Sequence, residues 1–364
     1  MSHTPTSTVS GPPPLQRGPL GWLRQNLFSS PLNAILTALS AWLLLMTVPA
    51  MIDWLFIKAN FDAQTAQDCR ASAGACWAFI REKHRLILFG IYPYDEQWRP
   101  LLASILLTLL IVCSCVRWFW KPWLPLLWLV GLSVVGILMW GGVLGLSYVE
   151  NSLWGGLPLT LILATFGIAF AFPLGLLLAL GRTSRLPAVK AVCVVYIELI
   201  RGVPLISLLF MSSVMLPLFM PEGFNIDKLL RAQIAIILFA AAYIAETVRG
   251  GLQAIPKGQY EGAASLGLSY WRTMRQIILP QALKIVIQPL VGIFISLFKD
   301  TSLVVIIGIF DLTQAAKVAL ADAAWRGFSR EAYLFIALIY FVFCYSISRY
   351  SRSLERRLQT GYER

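Results

Sequence analysis

The chain has 364 residues, 58% of them hydrophobic and 13% charged, and its apolar residues gather into runs too long for a soluble core to bury. Its formal net charge of +12 does not signal a nucleic-acid binder, because the Lys and Arg sit in short segments between apolar runs rather than on one basic face. With only His3 and His84 available, metal sites and imidazole catalysis have almost no material, so the composition points to an all-α integral membrane protein that is not an enzyme.

Residues 1 to 32 open with MSHTPTSTVSGPPPLQRG, rich in Ser, Thr, Pro and Gly, and read as a disordered cytoplasmic tail without a signal-peptide pattern. About 20 apolar residues are needed to cross a bilayer. On that basis eight spans are predicted, near 33 to 57, 100 to 120, 123 to 147, 157 to 181, 189 to 215, 231 to 251, 282 to 308 and 331 to 350. Eight spans put both termini on one side. Arg117 with Lys121, and Arg182, Arg185 and Lys190, fall in short connections on that side, and the carboxyl terminus adds Arg349 and, in the basic tail 351 to 364, Arg352, Arg356, Arg357 and Arg364. The positive-inside rule makes that side the cytoplasm. The opposite loops are nearly balanced, with Glu222 and Asp227 against Lys228 and Arg231, and Asp311, Asp322 and Glu331 against Lys317, Arg326 and Arg330.

The first three spans form an extension, residues 33 to 150, with one large outer loop at 58 to 99 that reads either as a small periplasmic cap or as a plain tether. Cys69 and Cys76 both lie in it, and an oxidising compartment would permit a disulfide there, so bridged and unbridged forms both remain open. Cys113, Cys115, Cys193 and Cys344 lie in apolar stretches and read as packing residues.

Residues 151 to 350 carry nearly all of the charge at membrane depth, which is where function is expected. Glu198 and Arg201 are three residues apart, as are Glu246 and Arg249, so each pair can share a helical face. Both an ion pair and a contact to a solute in the translocation path fit this spacing. Pro204 is expected to break the fifth span. Lys299, Asp300, Thr301 and Ser302 fall deep in the seventh span, where they are expected to face the bundle interior. They suit either a path for a solute bearing both charges or a subunit interface.

Between the sixth and seventh spans, residues 251 to 281 form a long cytoplasmic connection. Gly262, Ala263, Ala264 and Gly267 predict a short helix with little side-chain bulk, followed by a turn beginning at Leu268 toward Tyr270 and Trp271. A partner surface could approach such a helix closely, although Trp271, Ile277, Ile278 and Leu279 equally suit a helix lying on the membrane.

Glu261, Ala263 and Gly267, followed after nine residues by Ile277, Leu279 and Pro280, resemble the EAA loop of binding-protein-dependent ABC import permeases. The resemblance implies a five-helix type I importer core whose loop docks on a cytoplasmic ATPase. Gly262 departs from it, standing where the family usually has Ala. YIELIRGVPL at 196 to 205, AYIAETVRGGLQAI at 242 to 255 and LFKDTSL at 297 to 303 resemble the polar amino-acid, histidine/glutamate-type branch. The long amino-terminal extension is similar to that of the longer permeases of general L-amino-acid and glutamate/glutamine/aspartate/asparagine systems.

That resemblance implies a bacterial inner-membrane permease for polar L-amino acids, working with an ATPase dimer, a second related permease and a periplasmic binding protein. No G-x-x-x-x-G-K-[ST] pattern occurs, so ATP and Mg are expected on the partner and this chain needs no cofactor of its own. An ion-coupled secondary amino-acid transporter is the alternative reading, and the long small-residue loop fits it poorly.

Overall fold

The structure is a computed structural model, and it describes residues 18 to 359 apart from 222, 224 and 225. The tail at 1 to 17, Glu222 and residues 360 to 364 therefore lie outside the described residues. The described chain is helical, and it divides into two compact units, one ending at Ala78 and the other beginning at Phe79.

In the first unit, α1 (Pro19–Asn26) lies inside the stretch expected to be disordered. Its Pro19 stands in the first turn, where the missing N–H costs nothing. α2 (Pro31–Ile52) begins at Ser30, whose hydroxyl accepts from Asn33 N at 3.2 Å, and continues as a π-turn to Ile57. The 27 residues to Ile57 measure about 40 Å, and none of the side chains is buried. The segment after it is folded rather than slack. α3 (Ala66–Ala71) starts with a capping box between Thr65 and Asp68, and Cys69 and Cys76 are joined in a disulfide. Asn60 N donates to Ala75 O, Trp77 N to Asn60 O, and the Trp77 indole to Leu55 O, all within 2.9 Å.

The second unit opens within α4 (Trp77–Phe89) and continues through α5 (Trp98–Cys115) and α6 (Leu124–Trp140). Arg99 is fully buried beneath them. Its guanidinium donates to Leu138 O at 2.7 Å and Ser147 O at 2.9 Å and pairs with Glu96 at 3.4 Å, which pins the 141 to 149 loop over the bundle. Lifting the loop would take the Ser147 acceptor from a buried guanidinium, which makes that contact costly to break.

The center of the unit is α7 (Gly156–Arg182) against α11 (Lys228–Gln253). Without aqueous pressure to hold helices together inside a membrane, small residues allow close packing. Ala240, Ala241, Ala242 and Ala245 are buried on α11, and a Cβ on Gly175 would stand 2.6 Å from Ile244. Between them in sequence, the predicted fifth span is two pieces: α8 (Pro187–Gly202), then α9 (Leu205–Phe210) leading through a π-turn to α10 (Leu216–Leu218). The break falls at Pro204 and turns the axis by 102°. Residues 189 to 215 are thus not one straight span, because Pro204 supplies no N–H and Val203 before it is extended.

After α11 the chain forms α12 (Lys257–Ser265), α13 (Tyr270–Thr273), α14 (Leu279–Ile285) and α15 (Ile287–Asp300), the last running into a 3-10 turn to Ile307. α16 (Leu312–Ala321) and the 31-residue α17 (Ser329–Gln359) complete the unit. Among the described residues six helical segments are long and apolar enough to cross a membrane, the bent pair would make a seventh, and α6 is apolar but shorter, at 17 residues, than the eight-span reading requires.

Candidate functional site

α12 is nine residues long, and Ala263 is its one buried residue. Glu261, Gly262, Ala264 and Ser265 are exposed, and a Cβ at Gly258, Gly262 or Gly267 would meet open space. The helix ends in a Schellman motif: Leu268 N donates to Ala263 O at 3.1 Å, Gly267 N donates to Ala264 O at 2.9 Å, and Gly267 has φ +68°. That conformation costs a side chain with a Cβ about 1 to 2 kcal/mol, which is why glycine stands there. The turn therefore begins at Leu266, two residues before the expected position. Leu266 is 78% and Trp271 68% exposed, so apolar surface flanks the bare helix.

The segment is anchored behind this open face. Tyr260 packs against the bundle core, and burial raises its phenol above the usual range. Met274 and Ile278 are buried, Ile277 and Leu279 pack against the core, and Pro280 is exposed at the start of α14. Gln281 donates to Ile277 O at 2.9 Å and to Gln259 Oε1 at 3.2 Å, tying α14 to α12. The geometry is a small, uncluttered helix on a stiff mount.

Above the mount lies a network of charges. Glu246 takes both Nε and Nη2 of Arg249, with the Nε contact at 2.9 Å, and lies 3.4 Å from Arg182 and 4.0 Å from Arg201. Arg182 in turn donates to Glu198 at 2.7 Å. The expected pair of Glu198 with Arg201 is thus replaced by Glu198 with Arg182, since α8 presents Glu198 to the end of α7 while Arg201 turns toward Glu246 and the Tyr243 ring. The expected pair of Glu246 with Arg249 is present. Together these groups clasp the last turn of α7, the end of α8 and the last two turns of α11, directly before the loop that carries α12. In the sequence Arg182 stands out only as a topology signal, because nothing local ties it to residues 16 and 64 positions away.

Lys299, Asp300, Thr301 and Ser302 do not act as one cluster. Thr301 is fully buried and donates to Phe298 O at 2.8 Å, Asp300 and Ser302 are half-buried, and Lys299 is exposed on this chain rather than interior. A helix turns about 100° per residue, so four consecutive residues cannot share one face. A buried carboxylate near that end belongs to Asp311, which the sequence places among the outer-loop charges. Asp311 is fully buried at the start of α16, accepts from Thr313 N and Gln314 N at 2.9 Å each, and has its carboxyl pushed up to about 6 by burial. Thr160 of α7 accepts from Leu312 N at 3.2 Å, and Gly156 N donates to Phe310 O at 2.8 Å, fastening α16 to the start of α7.

Residues 171 to 360 match the family model described as binding-protein-dependent transport system inner membrane component. The chain is 53% identical over 347 residues to the inner membrane amino-acid ABC transporter permease protein YhdY of Escherichia coli (strain K12), covering 93% of each. It is 40% identical to the glutamate/glutamine/aspartate/asparagine transport system permease protein BztC of Rhodobacter capsulatus, covering 96% of each. A probable glutamine ABC transporter permease protein, GlnP of Bacillus subtilis (strain 168), is 37% identical and is covered over 93% of its length by 56% of this chain. Among solved structures, an amino acid ABC transporter crystallised with histidines is similar at 36% identity and a TM-score of 0.49, over 54% of this chain and 90% of that one. An extension of the kind seen here is therefore shared with the long relatives and missing from the shorter one.

Proposed function

The chain belongs to the family of binding-protein-dependent transport system inner membrane components, as a permease of amino-acid ABC import, and from that premise we propose that α12 is the surface through which a separate ATPase drives it. It is a multi-pass inner-membrane subunit and is not itself catalytic. The ion-coupled alternative finds no support among its relatives.

One observation carries the proposal: a helix whose second half, Gly262 to Ser265, carries little side-chain bulk on its exposed face, closed by a left-handed glycine, stands on a mount that continues into the charge network. A partner pushing on α12 would move the joined ends of α7, α8 and α11 as a unit, because Arg182 ties all three through Glu198 at 2.7 Å and Glu246 at 3.4 Å. ATP and Mg belong on the partner, where the phosphate-binding pattern that this chain lacks would lie. The full assembly pairs two ATPases with this chain, a second related permease and a soluble periplasmic protein that delivers a polar amino acid.

In this reading both tails and α12 face the cytoplasm, and residues 58 to 99 face the periplasm. Two measurements test it. Purification of the tagged chain followed by mass spectrometry should recover an ATPase and a binding protein, and recovery of neither would sink the assembly. Single-cysteine probes at Gln64 and Ser265, in a background retaining the disulfide, should react with a membrane-impermeant reagent in intact cells at Gln64 only. The reverse pattern would invert the topology.

A further inference from the structure

α17 is longer than a bilayer requires. Its 31 residues measure about 46 Å against a hydrocarbon core of about 30 Å, so its last turns extend past the membrane. Residues 332 to 348 carry no charge, a run of about 26 Å, and Arg349 is the first cation after it. Arg349 therefore sits where acyl chains give way to headgroups.

Helical spacing then sorts the residues around Arg349. Phe341, Tyr345, Arg349, Arg352 and Arg356 follow one another at intervals of four, four, three and four, which puts all five on one face. All five are exposed, and the Phe341 and Tyr345 rings stack with centroids 5.6 Å apart. The flank beside the stripe is the side that packs: Ser351 is buried and contacts Gln288 of α15 at 3.4 Å, and Glu355 is held by the Gln288 amide. The one carboxylate in this part of the helix flanks the stripe three residues from Arg352 and is engaged by Gln288 of α15, so the three arginines outnumber it there. A groove of about 640 Å³ runs along the stripe from Tyr345 to Arg356.

We propose that this face of α17 is a binding site for an anionic phospholipid, with the phosphate held by Arg349, Arg352 and Arg356 and an acyl chain lying against Tyr345 and Phe341. Aromatic surface at acyl depth followed by guanidinium groups at headgroup depth matches both parts of such a lipid in order. Guanidinium forks hold phosphate oxygens in pairs, which a scatter of surface charge does not. Charge complementarity favors an anionic lipid, because the guanidinium groups begin at the depth where its phosphate already lies, directly beyond aromatic surface at acyl depth.

The test is a native mass-spectrometry titration of the full chain, purified in mild detergent with its accompanying subunits, against phosphatidylglycerol and against phosphatidylcholine of the same acyl chains. Saturable phosphatidylglycerol binding is expected, with phosphatidylcholine far weaker. Replacing Arg349, Arg352 and Arg356 together by Gln should reduce it more than about tenfold, and Arg352→Gln alone about fivefold should the triple variant not fold. Replacing Lys121, Arg185 and Lys190 by Gln removes the same charge from the same side and should leave it within about twofold. Equal loss in that control means diffuse attraction, displacement by millimolar inorganic phosphate means a free-phosphate site, and loss of a subunit with lipid still bound means a protein interface. Each of those results overturns the proposal, as does undiminished binding in the triple variant.

Discussion

Two short helices of nearly equal length sit at opposite ends of α7 and are built on opposite terms. α16 has ten residues, four of them buried, an aspartate cap at its start, and backbone bonds to α7. α12 has nine residues, one buried side chain, no side-chain cap at its start, and a glycine turn at its end. Propensity does not separate them, since both are rich in alanine and small residues. What separates them is the company each keeps: α16 is enclosed by its own chain, whereas α12 presents its small residues outward. Small side chains inside a fold permit close packing, and small side chains on an open helix leave room for a surface that another molecule brings.

The sharpest way to break the comparison is at Gly267. Gly267→Glu should abolish amino-acid uptake while the protein remains inserted and abundant, since it combines backbone strain of about 1 to 2 kcal/mol with a long charged side chain beside the open face. Uptake of labelled substrate and co-purification of the ATPase are the readouts, and normal transport with the ATPase bound would remove α12 from the coupling role.

The same bulk placed on each helix should then give opposite results. Ala316→Leu in α16 should cost about 1 to 3 kcal/mol of stability through overpacking, read as a lower thermal midpoint in detergent. Ala264→Leu in α12 should leave the midpoint unchanged and reduce uptake instead. If both variants merely destabilise, the two helices are alike and the contrast fails.

Asp311 gives α16 a dependence on pH that α12 lacks. Its carboxyl titrates near 6 in the fold against an ordinary 3.8, so between those values the folded protein holds the proton more tightly than the unfolded chain. Stability from this group is therefore largest at acid pH, falls as pH rises from about 4 to about 6, and is level above that, a change on the order of 3 kcal/mol. Asp311→Asn keeps a capping side chain and should flatten the profile. Thermal midpoints at pH 5 and pH 7 decide it: an unchanged slope in the variant assigns the dependence elsewhere.

Smaller effects sharpen the picture of the mount. Glu246→Gln should lower stability by about 1 kcal/mol, and adding Arg182→Gln should cost less than it does alone, because the two belong to one partly hydrated network. Additive losses would make them independent. Gly262→Ala, on open space within α12, should stabilise by up to about 1 kcal/mol with uptake intact, and lost uptake would show that even one methyl obstructs the docked partner.

The sequence by itself determined a great deal here, because a bilayer imposes a simple rule on a chain. Every span must be a long apolar helix with its backbone satisfied internally, so spans are legible as runs of residues, and the break at Pro204 is legible from its missing donor. The small residues of 262 to 267 and their glycine stop are local too, which is why α12 and its turn could be placed within two residues. What only the tertiary structure decided is how charges are shared. Glu198 bonds to Arg182 and not to its neighbor Arg201, Asp311 is sealed against α7, Arg99 is buried under a loop some forty residues away, and Lys299 faces out while Thr301 faces in. Electrostatic partners are chosen by distance in space, and helix packing sets that distance. A pattern of residues along one helix records which faces exist, and only the neighboring helices determine what each face meets.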